Sequence, residues 1–233
     1  MALGENGMSD AAIEYWSTRD LVNSRTVANV PLFRFFGYAG ISLAGKHVLE
    51  IGFGANRGAD LLECQARGAT IYAADIGQKY VEDFQKNHPD VPAAVANAGT
   101  EPLPFGVNYD IVFHRDMIYY LTDAQIGFHF RSVHENLNAG GYLVFQFIEK
   151  DLTLATPASA SGSYRTDFDT LKAAETDRMF RGETNPLRKL DVDWLIGEAT
   201  KAGFTLKATK TVIESYTPDE TVFRVDRYLL LAK

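Results

Sequence analysis

From His47 to Ile148 the chain alternates short apolar runs with amphipathic segments, and that alternation limits its fold more than any other feature. His47-Val48-Leu49-Glu50-Ile51 reads as a strand ending in glycines, followed by a helix that carries Leu61, Leu62 and Cys64 and stops at Gly68. Thr70 to Asp75 is a second strand, and a short helix through Val81 and Phe84 ends at His88-Pro89. Ala93 to Asn97 and Asp110 to His114 supply a third and a fourth strand. Thr122 with Gln125 makes a capping box, and Ile126, Phe130, Val133 and Leu137 continue it at helical spacing. Asn138-Ala139-Gly140-Gly141 breaks that helix before an apolar strand from Tyr142 to Ile148. Strand and helix at this rhythm imply parallel β-α-β units in a doubly wound α/β sheet.

The flanks read differently. Residues 1–45 are helical in pattern and aromatic, with Tyr15, Trp16, Phe33, Phe35, Phe36 and Tyr38, and Ser9 as an N-cap that puts Ile13 and Trp16 on one face. These aromatics serve either the core or a lid over substrate. Residues 151–189 interrupt the alternation with a small polar stretch, Ala155 to Gly162, and a segment of mixed charge holding Phe168, Met179 and Phe180. That segment is too short to own a core, so it reads as a cap insertion within a single domain, with Ser159-Ala160-Ser161-Gly162 as its hinge. Asp191 caps a last helix through Trp194, Leu195 and Ala199, closed by Gly203. Strands at Thr205–Ile213 and Thr221–Leu231, joined by a short turn, then pair antiparallel and bring the sheet to seven strands.

Composition excludes several function classes. With 23 basic and 30 acidic residues the net charge is −7, which argues against a duplex DNA binder working through phosphate neutralisation. No apolar run is long enough to span a membrane, and the N-terminus lacks the pattern of a secretory signal. A lone cysteine, Cys64, excludes an internal disulfide and a Cys-based zinc site and suits a reducing cytoplasm. No His, Cys or carboxylate cluster has metal-ligand spacing, so no metal and no divalent-metal requirement are expected.

The glycine loop reads Glu50-Ile51-Gly52-Phe53-Gly54-Ala55-Asn56-Arg57-Gly58. In the dinucleotide pattern G-x-G-x-x-G a third glycine would stand at position 57, where this chain has Arg. Glu50, two residues before the first glycine, would face a pyrophosphate unfavourably but suits an ammonium group. Asp75 ends the second strand roughly 20 residues on, where a carboxylate accepts from ribose hydroxyls. The ligand so described has a ribose and a positive charge but no pyrophosphate. S-adenosyl-L-methionine fits this description; NAD fits Asp75 but not Glu50.

Glu50-x-Gly52-x-Gly54, Asp75 and Asn97 resemble the first three cofactor motifs of class I S-adenosylmethionine-dependent methyltransferases, a Rossmann-like family. Leu103-Pro104-Phe105 with Tyr109-Asp110-Ile111-Val112 is similar to that family's approach to its fourth strand. Leu137 to Leu143 resembles its turn into the fifth, so the resemblance covers about residues 45 to 150. It implies that Glu50 organises the first loop and the methionine end of the cofactor. It likewise puts Gly52, Phe53 and Gly54 beside methionine and ribose, and Asp75 on the ribose hydroxyls. Ile76 would lie beside adenine, Asn97 and Ala98 at its edge, and His114 near the amino acid moiety. The family more often has Asp where Asn97 stands, and Asn56 replaces its third glycine.

The resemblance puts the active site where the fourth strand ends, at His114-Arg115-Asp116-Met117-Ile118-Tyr119-Tyr120. His114, Asp116 and Tyr119 are the candidates for catalytic base or substrate anchor, with Asp116 alternatively pairing with Arg115. Neither an Asn/Asp-Pro-Pro-Tyr/Phe motif nor a Pro-Cys nucleophile is present, which again argues against DNA. The expected reaction is methylation of an oxygen or nitrogen of a small-molecule metabolite. Alternatives are a protein or RNA acceptor, or cofactor binding without methyl transfer. Arg165, Arg178, Arg181 and Arg188 in the cap either meet an anionic substrate group or are solvated. A homodimer is compatible with the reading. Among residues left to structural roles are Cys64, His47, His88, His129 and His134, and Asn97 has a turn-capping role as its alternative.

Overall fold

A computed structural model describes residues 16, 28–147, 190–215 and 223–233. Ser9, Ile13, the hinge and the cap insertion with its arginines lie outside the described residues. Helix α1 (Val30–Tyr38) precedes β1 (His47–Ile51), α2 (Ala59–Ala66), β2 (Thr70–Asp75), α3 (Gln78–Asn87), β3 (Ala93–Val95) and β4 (Tyr109–Arg115). Then come α4 (Asp123–Asn136), β5 (Leu137–Phe147), α5 (Val192–Lys201), β6 (Thr205–Ser215) and β7 (Phe223–Ala232). The seven strands form one sheet in the order β3-β2-β1-β4-β5-β7-β6. β1 to β5 pair in parallel, while β7 runs antiparallel to both β5 and β6. The expected doubly wound, mostly parallel sheet with an antiparallel last strand is therefore the fold.

Chain order reverses between β1 and β4, and such a switch point opens a crevice at the carboxyl ends of the strands. Strand periodicity sends alternate side chains to opposite faces. Leu49, Val112, Leu143, Phe145 and Leu229 join the core under α4 and α5. Val48, Ile71, Phe113, Val144 and Tyr228 join the core under α1, α2 and α3. Local signals start the helices as expected. Thr122 and Gln125 complete the capping box of α4, and the Asp191 carboxylate accepts from the Trp194 N–H at the start of α5. Asn29 caps α1 by accepting from the Leu32 N–H at 2.8 Å.

The end of β3 and the start of β5 differ from the sequence reading. β3 stops at Val95, because Asn97 turns the chain: its Oδ1 accepts from the Gly99 N–H at 3.0 Å. β5 begins at Leu137, ahead of the glycines, and its register against β4 jumps from Tyr109↔Leu137 to Ile111↔Tyr142. The glycines thus build a bulge within the strand. A Cβ at Gly141 would stand 2.9 Å from the Asn138 carbonyl oxygen, so the bulge closes only around a glycine there. Among the described residues no helix is long and apolar enough to cross a membrane.

Candidate active site at the carboxyl ends of the strands

The end of β1 meets the start of α2 in a set of buried charges. Asp60, in the first turn of α2, has no exposure and accepts from the Asn29 backbone N–H, from Asn56 Nδ2 at 2.7 Å and from Arg115 Nε at 2.7 Å. The expected alternative partner of Arg115 is its neighbour Asp116; its ion pair is instead with Asp60, because alternation turns residue 115 towards α2. Glu50 is 2% exposed, accepts from the Leu61 N–H, and leaves Oε2 without any partner. Burial, then Asp60, hold the Glu50 carboxyl well above the ordinary carboxylate range. Glu50 and Asp60 thus occupy the positive end of α2, the place a dinucleotide fold offers to pyrophosphate.

Asp75, at the end of β2, accepts from the Gly54 N–H and from the Gly77 N–H, each at 2.8 Å. Burial pushes its carboxyl up to about 6, against the pull of those amides. The Tyr80 ring fills the notch between the two glycines: a Cβ would meet it at 2.6 Å from Gly54 and 2.5 Å from Gly77. Trp16 packs on Tyr80 and, edge-on at 5.7 Å, on Tyr120. The sequence does not single out Tyr80, because its place between Gly54 and Gly77 comes from packing. Gly52 takes φ +77°, with Met117 3.3 Å from where a Cβ would stand, which brings the loop after β4 against the glycine loop. Phe53 is buried and packs on Phe84 at 4.9 Å, so only its backbone faces the loop. Ile76, Asn97 and Ala98 are half-buried.

His114 and Asp116 part company. His114 is fully buried under α4, stacked on Phe145 at 5.1 Å, with its Nε2 3.2 Å from Nε2 of His129. Burial, then His129, depress the His114 pKa well below the ordinary imidazole value, and burial depresses that of His129 to about 4. Asp116 stands beyond the strand with φ +54°, a conformation unusual for a non-glycine residue. Its Oδ1 accepts from the Tyr119 hydroxyl at 2.9 Å and from Gln146 Nε2 at 3.2 Å. Gln146 Nε2 also donates to Asp226 Oδ1 at 2.6 Å. Two candidates, Asp116 and Tyr119, are thus joined, while His114 belongs to a separate buried pair. Gln146 and Asp226 were missed, since their strands carry no motif. Among the described residues no cluster of three or more His, Cys, Asp or Glu is placed to hold a metal ion.

Residues 49–145 match the family profile of the methyltransferase domain. No curated protein matches the chain by sequence. Among solved structures, an S-adenosylmethionine-dependent methyltransferase from Mesorhizobium loti superposes with a TM-score of 0.64 at 17% identity, over 86% of this chain and 97% of its own. Magnesium protoporphyrin IX methyltransferase from Synechocystis, solved with bound S-adenosylmethionine, gives 0.63 at 13% identity, over 100% of this chain and 98% of its own. The N-methyltransferase NodS from Bradyrhizobium japonicum, solved with S-adenosylhomocysteine, gives 0.59 at 14% identity, over 97% and 98% of the two chains. These likenesses establish a shared fold. The methyltransferase-domain match, over residues 49–145, spans the glycine loop and the switch point.

Proposed function

We propose that this protein binds S-adenosylmethionine at the ends of β1, β2 and β3 and methylates an oxygen or nitrogen of a small-molecule metabolite. One observation carries the cofactor reading: a buried carboxyl oxygen, Glu50 Oε2, has no partner, with two further acids, Asp60 and Asp75, acting on it. An ammonium group satisfies such an oxygen, and a pyrophosphate would be repelled.

The remaining residues fit the same ligand. A carboxylate has about four lone-pair sites, so Asp75 keeps capacity for ribose hydroxyls beyond its two amide bonds. Gly52, Phe53 and Gly54 offer backbone to the methionine and ribose portions, and Ile76 an apolar flank to adenine. Asn97 spends its Oδ1 on the turn, which assigns its amide N–H groups to the adenine edge together with Ala98. His114 lies beneath this floor, paired with His129 under α4. When bound, the cofactor's sulfonium supplies a methyl group, the carbon–sulfur electron pair staying on sulfur as the acceptor's lone pair takes the carbon.

On the acceptor side we assign the work to Asp116 and Tyr119 rather than to His114, whose ring is sealed under α4. The carboxylate positions the acceptor and takes up the proton released from it, and the Tyr119 hydroxyl holds that carboxylate in place. Calorimetry tests the cofactor assignment directly: S-adenosylhomocysteine should bind and NAD should not at equal concentration. NAD binding with no S-adenosylhomocysteine binding would overturn it.

A further inference from the structure

Carboxylates from outside the glycine loop hold it at both ends. At the near end the Gly54 N–H donates to Asp75 Oδ2 at 2.8 Å. At the far end Asn56 uses both halves of its side-chain amide: Oδ1 accepts from the Gly58 N–H at 3.0 Å, and Nδ2 donates to Asp60 Oδ2 at 2.7 Å. These partners fix the amide's orientation, because a flip would set its oxygen against a carboxylate and its nitrogen against an N–H. Within this turn the chain passes through two left-handed residues, Arg57 with φ +53° and Gly58 with φ +71°. An arginine takes that conformation only where its surroundings impose it. The same Asp60 Oδ2 accepts from Arg115 Nε at 2.7 Å, one residue before Asp116. Asp60 Oδ1 accepts from the Asn29 N–H, and the carboxylate has no exposure. One buried oxygen atom thus joins the glycine loop to the end of β4.

We propose that Asn56 and Asp60 are positioning residues, which together hold the glycine loop in the shape that receives the amino acid end of the cofactor and keep it in register with β4. The proposal rests on the methyltransferase reading above and names residues that prepare its cofactor site. Asn56 engages both ends of its amide with the protein, and Asp60 three of its about four lone-pair sites, so both act through the loop backbone. Anchored by Arg115 and by the Asn29 N–H, Asp60 cannot swing away with the loop. A loop ordered before its ligand arrives loses little conformational entropy on binding, so cutting the tie appears as lost affinity. The loss is selective. Glu50, read above as the ammonium partner, accepts from the Leu61 N–H beside Asp60, which puts the far end of the loop with the amino acid end of the cofactor. Gly54 stays on Asp75 when Asn56 lets go, so the adenosine side is spared.

The full-length protein is titrated by calorimetry with S-adenosylhomocysteine and with methylthioadenosine, which keeps the adenosine and the sulfur but lacks the amino acid end. Asn56→Ala should weaken S-adenosylhomocysteine about tenfold, the size of one charge-assisted hydrogen bond, and methylthioadenosine about twofold or less. Asp60→Asn should show the same preference, and adding Asn56→Ala to it should cost less than about threefold more, as residues acting as one unit require. With no ligand present, trypsin should cut after Arg57 about tenfold faster in Asn56→Ala than in the wild type, while cleavage after Arg67, just past α2, stays the same. Unchanged S-adenosylhomocysteine affinity in Asn56→Ala overturns the proposal. Equal weakening of both ligands also overturns it, since that marks a general loss of structure. Additive losses in the double variant would show that Asn56 does not act through Asp60. Should Asp60→Asn fail to fold, the ligand ratio and the tryptic rate of Asn56→Ala still decide. Failure of S-adenosylhomocysteine to bind the wild type strikes the methyltransferase reading instead, and the tryptic rate at Arg57 then decides whether the pair holds the loop.

Discussion

The two faces of the sheet bury ionisable groups at the same height along the strands and treat them in opposite ways. Under α1 and α2 lie Glu50, Asp60 and Arg115; under α4 lie His114 and His129, packed on Phe145 and Phe130. On the first face the Asp60–Arg115 ion pair is held by specific partners, and one oxygen of the Glu50 carboxyl is left over. On the second the imidazoles are driven neutral and behave as aromatic filling. That contrast is why the acidic face carries the cofactor assignment and why His114 does not carry the catalytic one.

Breaking the ion pair should give the largest effect. Asp60→Ala leaves the Arg115 guanidinium without the carboxylate it pairs with and frees two further donors, from Asn29 and Asn56. A loss of about 3–5 kcal/mol in unfolding free energy is expected by urea denaturation. A change below about 1 kcal/mol would mean that the acidic face is solvated and the contrast false.

Next in size is the separation of function from stability at Glu50. Its carboxyl is raised above the ordinary range, so the folded state holds its proton more tightly than the unfolded one. The stability it contributes is complete at low pH and lost as pH rises through the folded value. Glu50→Gln should therefore raise the melting temperature of the cofactor-free protein at about pH 8, by a few degrees, while weakening S-adenosylhomocysteine about ten- to hundredfold. A variant that binds the cofactor product normally would remove Glu50 from the site.

The histidine face has the reverse sign. Both pKa values are depressed, so its contribution is complete above the unfolded value near 6.5 and is lost as pH falls towards the folded value of about 4 for His129. Between about pH 6.5 and 5 this costs about 2 kcal/mol for one such group. A His114→Phe, His129→Phe double variant should flatten the acid limb of a melting-temperature profile and leave its alkaline limb alone. S-adenosylhomocysteine should do the opposite, flattening the alkaline limb by satisfying Glu50. An acid limb unchanged in the double variant would assign it to other groups.

How much of this was legible beforehand divides along the same line. The glycine loop, Asp75 and the alternation of strands are local signals, and they sufficed for the sheet and for the meeting of Gly54 with Asp75. The sequence also shows that His114 and Arg115 point to opposite faces. It does not show which face holds α2 and which holds α4, because that depends on crossovers and on the bulge between Tyr109 and Ile111. The partners of Arg115 and Gln146 lie 55 and 80 residues away, at Asp60 and Asp226, and no local pattern announces contacts of that range. Tyr80 was visible as a helix residue, but its place between Gly54 and Gly77 is a product of packing alone.

The smallest expected effect needs no mutation. Cys64 sits in α2 with no exposure, and burial, then Glu50 and Asp60, push its thiol far above the ordinary cysteine range. Since the thiolate is the reactive form, a disulfide reagent should fail to label the native protein and should reach Cys64 only through opening of the α2 face. Labelling followed over time at about pH 8 then reports how often the acidic face opens. S-adenosylhomocysteine should slow it, because a ligand that binds only the closed state stabilises that state in proportion to its saturation. Labelling at the rate of a free thiol would show the acidic face to be open in solution. With it would go the desolvation that makes Glu50 a binding group rather than a surface charge.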